Sequence, residues 1–167
     1  MILRPEKEED HGVVKALNKH AFQGEVESSI VEKVRSSCDE VVSLVAVEDS
    51  KVVGHIFFSP VVTMSGESEV RGMALAPIAV SPEYQRRGIG SALVKEGLRV
   101  LNEGGYPFVV VLGHKDYFPR FGFEKASKYG LRSEWDGIPD DVFMVLFLDR
   151  SIEESVAGVV TFRPEFG

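Results

Sequence analysis

The spacing of apolar positions along this chain predicts strands and helices in alternation. Ile2 and Leu3 predict a short first strand, and Pro5 leads into Glu8-Glu9-Asp10, whose negative charge suits a helix start. Val13, Val14, Leu17 and Ala21 recur at helical spacing, and after a loop at residues 22–25 Ile30, Val31 and Val34 repeat the pattern. Residues 42–47, VSLVAV, and residues 52–64 read as two long strands around a turn at 48–50, with Pro60 marking a bend or bulge in the second. Residues 65–72 are polar and glycine-bounded, which predicts a loop, and residues 73–80 predict the next strand.

A third helix follows Gly88. It turns Ile89, Leu93, Val94, Leu98 and Leu101 toward a core and Ser91, Lys95, Arg99 and Asn102 away from it. Gly97 inside it costs about 1 kcal/mol of helix propensity, so its presence predicts close packing on the sheet. Gly104-Gly105 ends the helix, and residues 108–112, FVVVL, predict a strand buried on both faces. No linker, repeat or low-complexity stretch interrupts the pattern. One mixed α/β domain with a central sheet is expected over residues 1–167.

Composition narrows the class of partner. A net charge of −7 offers no basic surface for nucleic acid. No apolar run approaches the roughly 20 residues of a membrane span, and the start of the chain lacks the basic-then-apolar pattern of a secretion signal. The single Cys38 rules out an internal disulfide and suits a reducing cytosol, so a cytoplasmic location is expected.

The chemistry concentrates in residues 75–91, LAPIAVSPEYQRRGIGS. Here a strand runs through a short turn into a helix whose first amides have no intrahelical partner. Those amides and the helix dipole make an anion site suited to a phosphate or pyrophosphate. Gly88 and Gly90 carry no Cβ, so a ligand can approach the backbone, and Arg86 and Arg87 add charge and fork-shaped donors. A Walker loop would need Lys-Ser/Thr after the second glycine, and Ser91-Ala92 stands there. A dinucleotide fingerprint would need a third glycine, which residues 89–93 lack. The bland alternative is a tight strand-to-helix turn with solubilising arginines.

Gln85-Arg86-Arg87-Gly88-Ile89-Gly90 resembles the Q/R-x-x-G-x-G/A signature of the GNAT superfamily of acetyl-CoA-dependent N-acetyltransferases. Tyr117-Phe118-Pro119-Arg120-Phe121-Gly122-Phe123 resembles that family's tyrosine-containing short helix and closing "GF" turn. Residues 76–80, 111–113 and 158–166 extend the likeness to a subgroup of small prokaryotic predicted acetyltransferases. The resemblance implies a central mixed, mostly antiparallel sheet flanked by helices, with splayed central strands. It implies acetyl-CoA as co-substrate, no metal, and an acceptor that is a small-molecule amine or a protein amino group. No nucleic acid or membrane partner is implied, and a homodimer is left open.

By the same resemblance, residues Gln85, Arg86, Arg87, Gly88, Ile89, Gly90 and Ser91 would hold the coenzyme A pyrophosphate. The strand residues Ile78, Ala79 and Val80 would lie along the donor, with the Ala79 backbone N–H polarising the developing oxyanion. Pro77 either starts that strand or accompanies the bulge and splay of the family's sheet. The family's general-acid tyrosine usually stands four residues before the GF glycine. That position is Phe118 here, and Tyr117 lies one earlier, about 100° around a helix. Tyr117 is thus either the acid or a packing residue. Water can protonate a thiolate in its absence, since the free pKa is about 8.5.

The acceptor must attack as a neutral amine. With an ammonium pKa near 10, about one part in a thousand is neutral at pH 7, a cost of roughly 4 kcal/mol that a general base would offset. The resemblance implies, in many members, a carboxylate on the strand before the loop, which residues 73–80 lack. It also implies substrates that pass the loop between the first two helices, which makes Glu25 and Glu27 candidates, each also readable as a solvated helix-start carboxylate. His55 alternates with Phe57 and Ser59 on one strand face and could line the cleft, and His114 follows the buried strand near the expected thioester. Neither has a spacing partner for a metal, and each reads by default as a structural or surface residue. Trp135, Asp136-Gly137 and Asp140-Asp141 predict a turn between late strands. An acetyltransferase is the leading reading. The competing one is a non-catalytic acyl-CoA-binding module, kept open by Phe118 and the missing strand carboxylate.

Overall fold

Strand-forming and helix-forming segments separate as their periods predict in the computed structural model, which describes all 167 residues. The order is β1 Ile2–Pro5, α1 His11–Phe22, α2 Val26–Ser37, β2 Val42–Glu48, β3 Lys51–Ser65, β4 Ser68–Val80, α3 Ile89–Glu103, β5 Phe108–Leu112, β6 Glu124–Lys125, β7 Leu131–Ser133, β8 Phe143–Phe147 and β9 Val156–Thr161. The acidic run expected to open α1 is a 3-10 turn, Glu8–Asp10, directly before it. The chain divides into two units, residues 1–58 with 76–100, and residues 59–75 with 101–167. No helix is long and apolar enough to cross a membrane.

In the first unit β1, β2 and the start of β3 pair antiparallel, Ile2 facing Val47 and Val42 facing Phe58. Asp49 and Ser50 form the two-residue turn between β2 and β3, both at positive φ (50° and 64°). Positive φ at both central positions defines the turn whose twist matches that of paired strands. Leu44, Val45, Ala46, Val53, Ile56, Phe57 and Phe58 are buried from the strands, with Val14, Val31, Val34, Ile89, Leu93 and Val94 from the helices. Gly97 packs as its position predicts. A Cβ there would fall closer than 3.0 Å to the Phe58 ring.

In the second unit β4 and β5 run parallel, Met73 facing Val109 and Leu75 facing Val111, while β8 pairs antiparallel with both β5 and β6. The late part of β3 pairs antiparallel with β9, which runs parallel to β7. The aromatic-rich core of this unit includes Phe108, Phe143, Phe147 and Phe162. The strand at 108–112 is buried through Val111, but Leu112 is 38% exposed at its end.

The loop expected over residues 65–72 needs correcting. Residues 68–72 are strand, not loop. Ser68, Glu69 and Arg71 are exposed, so their polarity marks a solvent-facing stretch of β4, which a backbone ladder tolerates. In its pairing with β9, β3 shifts register between Val62 and Met64, just past Pro60. Pro77 is inside β4 and does not start it. The parallel pairing with β5 ends at Leu75, just before the cis Ala76–Pro77 peptide.

Candidate active site

The end of β4 and the start of α3 carry the predicted donor loop, all within the first unit. Ile78 and Val80 are half-buried, and Ala79 is 4% exposed. Ser81 N–H then donates to the Val53 carbonyl (2.8 Å), anchoring the chain to β3 as it leaves β4. Pro82–Tyr84 make one 3-10 turn, with Tyr84 N–H on the Ser81 carbonyl (2.9 Å). Proline, with φ already fixed, suits the first position of such a turn. The Gln85 side-chain amide reaches back to the Val80 carbonyl (3.0 Å), tying the loop to the strand end.

Beyond Gln85 the backbone turns sharply. Arg86 sits at φ +65° and Gly88 at φ +82°. The first is unusual for a residue with a Cβ, and such backbone strain concentrates at functional sites. Of the two loop glycines, only Gly88 takes a left-handed conformation, because Gly90 lies inside the first turn of α3, and Arg86 takes the other left-handed position. A Cβ built on Gly88 would meet nothing within 4 Å, so space stands open in front of its backbone. The helix begins with Ala92 N–H bonded to the Gly88 carbonyl (3.0 Å). Arg87, exposed, places its guanidinium carbon 5.0 Å over the Tyr84 ring. Tyr84 was not singled out by sequence reasoning, although its aromatic-x-x-Arg spacing carried the signal.

These features fit a phosphate-bearing ligand. An α-helix start, an open glycine and two arginines without carboxylate partners suit a pyrophosphate.

Tyr117 and its neighbours belong to the second unit. After β5, Gly113 N–H donates to the Val142 carbonyl (3.0 Å), and the amides of Tyr117 and Phe118 converge on the His114 carbonyl at 3.1 and 3.3 Å. Phe118–Phe121 form a 3-10 turn, tighter than an α-helix, closed by Gly122. Phe118 is 5% exposed, edge-on to Phe123 at 5.7 Å. Its ring fills the space a side chain at Gly113 would need. The residue at the family's usual tyrosine position is therefore core. Tyr117 is half-buried, edge-on to Phe118 (5.1 Å) and Phe121 (5.2 Å), with Arg120 5.6 Å over its ring.

Comparison with known proteins decides the family. The family model for the acetyltransferase (GNAT) domain matches residues 3–126. The chain belongs to the GNAT family of acetyltransferases. It is 35% identical over 167 residues to the uncharacterized N-acetyltransferase YhbS of Escherichia coli K12, covering 99% of this chain and 98% of YhbS. The crystal structure of E. coli YhbS in complex with CoA superposes with a TM-score of 0.92 over 99% of this chain and 91% of that one, at 35% identity. A GNAT family acetyltransferase from Brucella melitensis, solved with acetyl-CoA, gives a TM-score of 0.81 at 31% identity over 99% and 97% of the two chains. The fold is the mixed α/β GNAT fold with its mostly antiparallel sheet, and the protein is an acetyl-CoA-dependent acetyltransferase.

The remaining candidates fall in different places. Glu25 is exposed and paired with Lys19 (2.8 Å), whose ammonium holds its carboxyl below the usual carboxylate range. That keeps Glu25 ionised and makes it a weaker base. Glu27 is half-buried in the first turn of α2. His114 is exposed. Trp135 and the acidic turn lie between β7 and β8 as expected, where they border an open cavity of about 460 Å³. No cluster of three or more His, Cys, Asp or Glu side chains is placed to hold a metal.

His55 is structural. It is fully buried, and burial, with Arg35 nearby, pushes its pKa down to about 3. Ser43 Oγ donates to Glu6 (2.9 Å), so it must accept from His55 Nε2–H (2.9 Å), leaving Nδ1 to accept from the Asn18 amide (3.2 Å). The neutral ring satisfies every bond; a protonated one would set Nδ1–H against the Asn18 N–H. Between the unfolded pKa of about 6.5 and the folded value the unfolded chain binds the extra proton, so stability is full above that window and falls as pH drops through it, by up to about 1.4 kcal/mol per pH unit from this group. Urea midpoints at pH 7 and pH 4.5 should fall further for the wild type than for His55→Gln. Equal falls in both proteins would remove His55 as the cause.

Proposed function

We propose that this enzyme transfers the acetyl group of acetyl-CoA to a primary amine by direct attack in a ternary complex, with residues 1–167 acting as one acetyltransferase domain in the cytoplasm. The observation that carries the reading is the strand-loop-helix at residues 78–91, with its open glycine, left-handed Arg86 and unneutralised arginines. In this reading the N–H groups of Gly88, Ile89, Gly90 and Ser91 hold the pyrophosphate. Arg86 and Arg87 supply charge and directional donors. Gln85 fixes the loop to Val80. Ile78, Ala79 and Val80 line the donor, with the Ala79 N–H polarising the carbonyl that is attacked. Bound acetyl-CoA supplies an activated acetyl carbonyl and a thiolate leaving group.

Tyr117 is the proposed general acid for that thiolate. Phe118 has no ionisable proton and is buried, whereas Tyr117 keeps a partly exposed ring and a hydroxyl. The acceptor is a small-molecule amine or a protein amino group, and a homodimer is compatible with either. Acceptor-dependent release of CoA across a panel of amines tests the reaction. Tyr117→Phe should lower turnover by roughly ten- to a hundredfold, because a thiolate is a tolerable leaving group and general-acid help is commonly worth 10²-fold or more. Its acetyl-CoA affinity should stay at the wild-type value. Wild-type turnover in the variant would return Tyr117 to a packing role.

A further inference from the structure

Acidic residues outnumber lysine and arginine 26 to 19 in this chain, yet Arg86, Arg87, Arg120 and Arg132 form no ion pair with any of them. Arg4, Arg35, Arg99, Arg150 and Arg163 each hold a carboxylate at 2.8 Å or less. Arg86 and Arg87, side by side in the donor loop, hold none. Arg87 instead lies over the ring of Tyr84, three residues earlier in the same loop.

The two kinds of partner differ in what they leave available. A carboxylate engages the guanidinium edge and occupies its N–H donors, whereas an aromatic ring engages the face. Arg87 is therefore held in place with its fork of in-plane donors still able to take a phosphate bidentately. Holding it also lowers the entropy lost when the long side chain is fixed on a ligand. Tyr84 is itself well anchored. It is half-buried, its N–H is bonded to the Ser81 carbonyl (2.9 Å), and Ser81 N–H is bonded to Val53 of β3 (2.8 Å).

We infer that Tyr84 is a positioning residue that presents Arg87, over its ring, to a phosphate group of the acyl donor. The inference rests on the proposed role of the loop in donor binding. The phosphate is either the pyrophosphate or the 3′-phosphate of coenzyme A, which share the chemistry the guanidinium recognises.

The test is steady-state kinetics and a double-mutant cycle on the full chain, with acetyl-CoA and with acetyl-dephospho-CoA, which lacks the 3′-phosphate. Tyr84→Leu should raise the KM for acetyl-CoA about three- to tenfold, matching a modest cation–π contribution plus restored arginine disorder. The change should fall on KM and not on kcat, and Tyr84→Phe, which keeps the ring, should restore KM to within about twofold of wild type. In an Arg87→Ala background Tyr84→Leu should have no further effect. Equal KM increases with both donors assign Arg87 to the pyrophosphate, and an increase confined to acetyl-CoA assigns it to the 3′-phosphate. Two results overturn the inference: an unchanged KM in Tyr84→Leu while Arg87→Ala raises it, or an undiminished Tyr84→Leu effect in the Arg87→Ala background. If Arg87→Ala and Gly88→Val both leave KM unchanged, the loop's role in donor binding fails instead.

Discussion

Gly88→Val should weaken acetyl-CoA binding by about a hundredfold, close to 2.7 kcal/mol, while leaving the protein folded. The Gly88 backbone is at φ +82°, a region in which a β-branched residue is strained. A Cβ at this position meets no protein atom within 4 Å, so no neighbouring group blocks the side chain. The new methyls would occupy the open space in front of the loop, where a phosphate has to come close enough to bond the backbone N–H groups. A free loop relaxed out of this strained conformation must return to it on binding, which costs on the order of 1–2 kcal/mol, and the lost approach supplies the remainder. Calorimetric titration with CoA measures the effect. An affinity equal to that of the wild type would sink the assignment of the pyrophosphate to this loop. Gly88→Ala should show the same direction with a smaller loss.

Gly97→Val should lower stability by about 3 kcal/mol, which for a domain of this size moves the melting temperature by roughly 6–12 °C. Helix propensity alone argues the opposite way, since removing an interior glycine gains up to about 1 kcal/mol. Packing decides the sign. A Cβ at Gly97 would fall closer than 3.0 Å to two ring carbons of Phe58, a side chain with no exposed surface to move into. Thermal unfolding followed by circular dichroism reads the result directly. A melting temperature at or above wild type would show that α3 can shift off the strand. Adding Phe58→Leu to Gly97→Ala should recover part of the loss suffered by Gly97→Ala alone, because the two positions compete for one space.

Much of this architecture was legible in the order of residues because it follows from local periodicity. Apolar positions three and four apart in residues 89–103 leave few options but a helix with one buried face, and FVVVL leaves few but an interior strand. The candidate donor loop was legible for a related reason: a strand, two glycines and a helix start are adjacent in the chain, so a short motif encodes the whole strand-loop-helix. Polarity misled at residues 68–72, where strand pairing is set by the backbone and the exposed side chains carry no signal of it. His55 was ambiguous on its strand because its neutral, buried state depends on Asn18, Ser43 and Arg35, which lie far from it along the chain.

The sequence by itself determined the family, the donor and a candidate loop for it, since each rests on residues within a few positions of one another. Only the tertiary structure decided that Phe118 is core and Tyr117 is half-exposed, that Gly97 answers Phe58, and that Arg87 rests on Tyr84 without a carboxylate. Burial and ring stacking depend on which side chains meet after the chain has folded back on itself, and residue spacing alone does not specify those meetings.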